Sequence, residues 1–133
     1  MVTLNQLCRG RQIRLKKYHR CRTPALRKCP QRKGIVIGVS VVTPKKPNSA
    51  KRKIIKVRLS SGRKVRASYP GEYDFKNGLK RFFKILVRGG RIRDVVGVKY
   101  KVILGHFDAR PFYRRRTSRS KYSVRYSYIN VEK

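Results

Sequence analysis

The chain has 133 residues, enough for one domain with a modest core, and carries 38 Lys and Arg against five acids, a formal net charge of +33. Self-repulsion of that size opposes compaction of an isolated globule, so a polyanion is the expected resting partner, and nucleic acid fits best because each neutralised phosphate releases condensed counterions. A membrane partner is not expected: no apolar run approaches the ~20 residues of a spanning helix, and the basic residues are scattered rather than stacked on one amphipathic face.

The first segment, MVTLNQLCRG, lacks the apolar stretch of a secretory signal, and no cleaved leader is read there. Residues 1–34 hold 11 basic residues, no acid and two prolines, and their apolar positions follow no sustained period. This predicts an extended arm ordered by its partner, with a short helix over about residues 3 to 9 and Thr3 as its N-cap. Cys8, Cys21 and Cys29 are separated by 12 and 7 residues with no CxxC pair, which argues against a disulfide scaffold and for a reducing compartment. His19 lies near Cys21, but the paired spacings of a structural zinc site are missing, so buried or idle thiols and no metal are expected.

From Ile35 the pattern changes to β. In IVIGVSVVT (35–43), Ile35, Ile37, Val39 and Val41 fall on one strand face, and in IIKVRLS (54–60) Ile55, Val57 and Leu59 oppose Lys56 and Arg58. Ser61-Gly62 predicts a tight hairpin turn. RKVRASY (63–69) follows, with Val65, Ala67 and Tyr69 opposite Lys64, Arg66 and Ser68. FFKILVR (82–88) and VKYKVIL (98–104) complete five short strands, with one of Phe82 and Phe83 in the core and the other exposed. Five such strands predict an all-β chain built on a five-stranded OB-fold barrel over 35–106, flanked by the basic extension and an irregular basic tail over 107–133.

Few residues could carry catalysis. Five acids and two histidines offer no acid–base pair and no magnesium cluster, and Asp94 and Asp108 read as isolated acids satisfied by neighbouring Arg or Lys. Gly89-Gly90 follows a strand as a phosphate loop would, but GxxxxGK[ST] is missing, so no nucleotide cofactor is expected. Tyr113, Tyr122, Tyr126 and Tyr128 lie among arginines, where they could stack on bases, although packing against the domain or a protein neighbour is the favoured reading. The sharpest feature is VTPKKPNSAKRK (42–53). Pro44 and Pro47 bracket Lys45 and Lys46 and fix φ, and Asn48 and Ser49 add short hydrogen-bonding groups, a combination suited to phosphate and ribose recognition.

TPKKPNSA (43–50) resembles the signature of the small-subunit ribosomal protein S-twelve family. LNQL (4–7), PAL and CPQRKG (24–26 and 29–34), KVRLSSG (56–62), PGE (70–72), RGGRIRD…GVKY (88–100) and RSKY (119–122) resemble that family in the same order. The resemblance implies a non-enzymatic protein at the subunit interface, bound to small-subunit rRNA and neighbouring ribosomal proteins rather than to copies of itself. It implies two loops facing the mRNA–tRNA decoding site. Pro47, Asn48 and Ser49 would contact decoding-site rRNA, Lys45 and Lys46 would pair with phosphates, and Arg88, Arg91, Arg93 and Asp94 would form the second loop. The arm would thread through rRNA.

Three departures from the family pattern stand out: Val96 where proline is usual, the basic and aromatic YDFKNGLKRFFK after PGE, and Lys51 at a commonly apolar position. With a start at the family's own N-terminus, they suggest a divergent organellar lineage and a place in the mitochondrial matrix, ahead of a plastid or bacterial cytoplasm. The alternative function is a free OB-fold RNA binder or RNA chaperone, whose expected sign is an aromatic strand face; these strands are mainly aliphatic and basic.

Overall fold

The computed structural model describes residues 3–9, 21–71, 78–112 and 115–124. Among these, five strands are present: β1 (Gln31–Val42), β2 (Arg52–Leu59), β3 (Lys64–Ser68), β4 (Lys84–Gly89) and β5 (Tyr100–Ile103). They close into a barrel in the order β1-β2-β3-β5-β4, antiparallel throughout except for β3 against β5. This is the five-stranded OB-type barrel that the alternating strands predict.

The barrel closes because β1 is long enough to serve two neighbours. Its residues 34–42 pair with β2, while Gln31–Ile35 pair with β4. The strand begins four residues before the apolar alternation at Ile35, and Gly34 is what allows the crossing. A Cβ there would lie 2.6 Å from Val57 Cγ1 and 2.8 Å from the Arg58 carbonyl, so only glycine permits the close approach.

One expectation about β1 is overturned. Ile35, Ile37, Val39 and Val41 do not share a face, because the register shifts between Val36 and Gly38. Ile35 pairs with Arg58 on the outer surface, whereas Val39 pairs with Ile55, whose side chain is fully buried, although Val39 itself stays 38 % exposed. A bulge inserts one residue and inverts the inside–outside phase beyond it. Val36, not Ile35, therefore enters the core.

The alternation expected in the other four strands holds better. Ile55, Val57 and Leu59 are buried with Ala67, Ile85, Val87 and Val102, while Lys56, Arg58, Lys64 and Arg66 face solvent. Ser68, expected opposite the core residues, is nevertheless buried. The hairpin turn forms at Ser60–Gly62: Gly62 N–H donates to the Leu59 carbonyl at 2.9 Å, and Leu59 N–H to the Arg63 carbonyl at 3.0 Å. Gly62 adopts φ +82, the left-handed position that such three-residue hairpin loops require. At the start of β4, Phe83 packs against the core while Phe82 is 80 % exposed.

The N-terminal segment joins the barrel sooner than its lack of periodicity suggests. A 3-10 turn, Pro24–Leu26, places Ala25 and Leu26 in the core. Ala25 N–H donates to the buried Tyr100 hydroxyl at 3.1 Å, and the Ser61 hydroxyl donates to the Ala25 carbonyl at 3.1 Å. Burying a side chain such as Leu26 contributes roughly 1.5–3 kcal/mol. Farther upstream, helix α1 (Leu4–Cys8) forms as expected; Thr3 N–H donates to Gln6 Oε1 at 3.3 Å, one half of a capping box. Cys8, Cys21 and Cys29 are free and exposed, not buried, and the Arg32 guanidinium lies 3.1 Å from the Cys29 sulfur.

The tail folds back through aromatic rings. Phe112 meets Tyr69 edge-on at 6.2 Å and Tyr122 edge-on at 5.9 Å, and the Arg115 guanidinium lies 3.7 Å above the Tyr122 ring. Tyr122, in the short helix α2 (Arg119–Tyr122), thus packs against the domain. Tyr113, Tyr126 and Tyr128 lie outside the described residues. The Asp108 carboxylate accepts the backbone N–H of Lys84 at 2.7 Å and so fixes the start of β4.

Candidate nucleic-acid interface

Two loops meet beside the barrel: residues 43–51 between β1 and β2, and residues 90–99 between β4 and β5. The first is shaped by its prolines. Pro44 is buried, while Lys45, Lys46, Pro47, Asn48 and Ser49 are all exposed, and a turn closes through Asn48 N–H to the Lys45 carbonyl at 3.1 Å. The second is a continued ladder, with Gly90 N–H donating to the Lys99 carbonyl at 3.0 Å and Ile92 N–H to the Val98 carbonyl at 3.3 Å.

Asp94 ties the loops together. Its backbone carbonyl accepts Lys45 N–H at 2.7 Å, and its side chain, 14 % exposed, accepts Arg52 Nε at 3.0 Å and lies 2.9 Å from the second Arg52 nitrogen. Both guanidinium nitrogens converge on one carboxylate oxygen, Oδ2, in a charge-assisted contact. Beneath this tie lies a small apolar cluster of Ile54, Val95 and Val98, with Val42 and Ile92 packed against it. Ile54 and Ile55 are consecutive on β2 and both fully buried, one under the loops and the other in the barrel.

The expected site residues divide by what they touch. Lys45, Lys46, Pro47, Asn48 and Ser49 share the first loop's exposed surface, and Arg91 and Arg93 are exposed on the second. Arg88 is not in the second loop; it belongs to β4, with its guanidinium 3.4 Å from the Gly89 carbonyl. Asp94 faces the protein and acts as a strut. Val96, at the position where the family usually has proline, is 79 % exposed, so the loop is fixed by its neighbours Val95 and Val98 instead.

Sequence reasoning missed three cations. Arg52 is the strut's partner, and its only signal is its place at the end of the lysine-rich loop. Arg22 and Lys99 join Arg91 around a concavity of about 680 Å³, floored by Thr23, Gly89 and Gly90. Arg22 sits in an aperiodic segment, and nothing in its surroundings marks it. Among the described residues no three His, Cys, Asp or Glu side chains converge on a common point.

The family model for ribosomal protein S12/S23 matches residues 19–126, which include the barrel and both loops. The chain belongs to this family. As an S12/S23 ribosomal protein it is a structural, non-enzymatic constituent of the small ribosomal subunit and takes part in translation. The surface that an S12/S23 protein of this charge presents through its loop pair is cationic, with its one described acid turned inward against Arg52.

Proposed function

We propose that this S12/S23 chain binds small-subunit rRNA at the subunit interface and helps set decoding accuracy through its two loops, in a mitochondrial ribosome. The residues before the Pro24–Leu26 turn serve as the rRNA-threading extension, the strands from Gln31 to Ile103 form the barrel, and the basic residues beyond the core residue Ala109 make a tail that meets rRNA and neighbouring ribosomal proteins. Lys45, Lys46, Arg91 and Arg93 take phosphates, with Arg88 contributing from β4. Pro47, Asn48 and Ser49 approach the mRNA–tRNA decoding site, and Asp94 holds the two loops in one geometry.

The observation that carries this reading is the clamp at Asp94. Phosphate contacts position a protein on RNA, and their value at a decoding site depends on loops that do not rearrange independently. Lys45 N–H on the Asp94 carbonyl, Arg52 on its carboxylate and Ile54 under Val95 and Val98 join the cationic loops into a single body.

Co-sedimentation with small subunits in high salt tests the assignment. Retention through the wash supports a structural constituent, whereas release with the loose RNA binders favours the chaperone reading. Binding of the full chain to rRNA fragments should fall steeply with salt, with a log–log slope of about −0.7 per single-stranded phosphate contact. A nearly flat response would mean that the +33 charge is not the binding surface.

A further inference from the structure

The outer face of the barrel carries a second surface of different chemistry. Ile35 on β1 is paired with Arg58 on β2 and with Lys84 on β4, so one cross-strand row reads cation, apolar, cation. Beside this row a concavity of about 390 Å³ is lined by Lys33, Ile35, Arg58, Leu59, Lys84 and Phe107, with walls that are mainly apolar. Its volume falls within the range of small-ligand pockets. Ile35 is 46 % exposed and Phe107 61 % exposed, so the chain leaves apolar surface open to water among three cations.

Phe107 is held there at a conformational cost. It is the second residue of a tight turn closed by Ala109 N–H to the His106 carbonyl at 3.2 Å, and its φ of +53 lies in the left-handed region that suits glycine. A bulky aromatic in that region is uncommon, and such strain concentrates at binding sites. The adjacent Asp108 carboxylate is occupied by the Lys84 backbone N–H, and among the described lining residues none is acidic.

We propose that this concavity receives one unpaired base of RNA, stacked on Phe107, with the flanking phosphates on Lys33, Arg58 and Lys84. The inference rests on the rRNA-bound reading above and names a contact that the two loops do not make. An aromatic wall reads any base through its π-face, and RNA-binding proteins take bases that are already unstacked. A peptide is a poorer occupant. Gly34 and Ile35 are paired on both sides, with β2 and with β4, so this part of β1 has no open edge for an added strand.

Small subunits assembled with the full-length wild-type, Phe107→Ala and Phe107→Tyr chains would be probed with base-modifying reagents. One rRNA nucleotide is expected to be protected in wild type, to react several-fold faster with Phe107→Ala and to regain protection with Phe107→Tyr, which keeps the ring. Because Phe107 is mostly exposed, the barrel should survive both changes, and subunit profiles check this. Identical base reactivity in all three subunits overturns the proposal. So does a carboxylate cross-link from Lys84 to a neighbouring protein that weakens in Phe107→Ala while rRNA is unchanged; that outcome assigns the groove to an acidic peptide. Failure of the rRNA-bound reading itself is separately visible, as release of the wild-type chain by high salt before any variant is compared.

Discussion

The barrel interior and the small cluster under the loops are built from neighbouring residues of one strand, yet they secure different things. Ile55 points into an interior shared with Val57, Ile85 and Val87, which holds five strands together. Ile54 points the other way, to Val95 and Val98, and this cluster holds only two loops. A large core makes the fold insensitive to what its outer face carries. A cluster of three buried residues can do the opposite, fixing the geometry of a functional surface while adding little to global stability. Fold and site are therefore separable by substitution.

The largest effect belongs to the interior. Ile85→Ala removes a fully buried side chain at the β1–β4 side of the barrel and should cost about 2–5 kcal/mol, read from urea unfolding of the free chain. Protection of barrel and loop amides should fall together. Ile54→Ala should cost about 2 kcal/mol, the lower end of that range, because its cluster lies at the edge of the barrel. Here amide exchange should quicken in residues 43–51 and 90–99 while β3 stays protected. Equal loss in β3 would merge the two clusters into one cooperative unit and break the comparison.

The third substitution leaves both clusters intact. Asp94→Asn weakens the strut to Arg52, whose side chain is 46 % exposed, so solvent screening limits the stability cost to about 1 kcal/mol or less. Miscoding by ribosomes carrying the variant should nonetheless change, because the loops lose their shared anchor; unchanged reporter readthrough would separate loop geometry from accuracy. Lys46→Ala should have the smallest effect on stability, within about 0.5 kcal/mol, since the side chain is exposed. It should alter miscoding more than subunit assembly, and a large assembly defect with normal fidelity would move Lys46 from the decoding surface to a structural anchor.

The sequence is most legible where one physical rule acts alone. In strands β2 and β3 the turn has glycine where positive φ is needed, and Val57, Leu59 and Ala67 are buried as the period requires, with Ile54 and Ser68 as the departures. Strand β1 defeats the same reading, because a bulge exchanges the faces of Ile35 and Val39, and no side-chain pattern announces an inserted residue. Ala25 and Leu26 are hidden for another reason: three residues of 3-10 turn are too short to display a period. At the candidate site the exposed residues of the first loop follow from its prolines and lysines. The inward role of Asp94 does not, since its partners, Lys45 N–H in the first loop and Arg52 at the start of β2, lie more than forty residues earlier in the chain.

The seam between β3 and β5 bears on how the chain folds. It is the barrel's parallel junction and consists of two residue pairs, Ala67 with Tyr100 and Ser68 with Lys101. Hairpin neighbours such as β2 and β3 meet across a few residues, whereas this seam joins positions 33 apart in sequence (100 − 67). Loop-closure entropy must be met before such a contact gives any return, so the β1–β2–β3 meander should form early and the seam late. Until then β3 and β5 are open edges, each able to pair with another chain. Residues 90–99 lead directly into Tyr100, so an RNA that captures the second loop also restrains the strand that closes the seam. For a newly made chain that binds RNA as proposed, the ligand and the last folding step would meet at one residue, Tyr100.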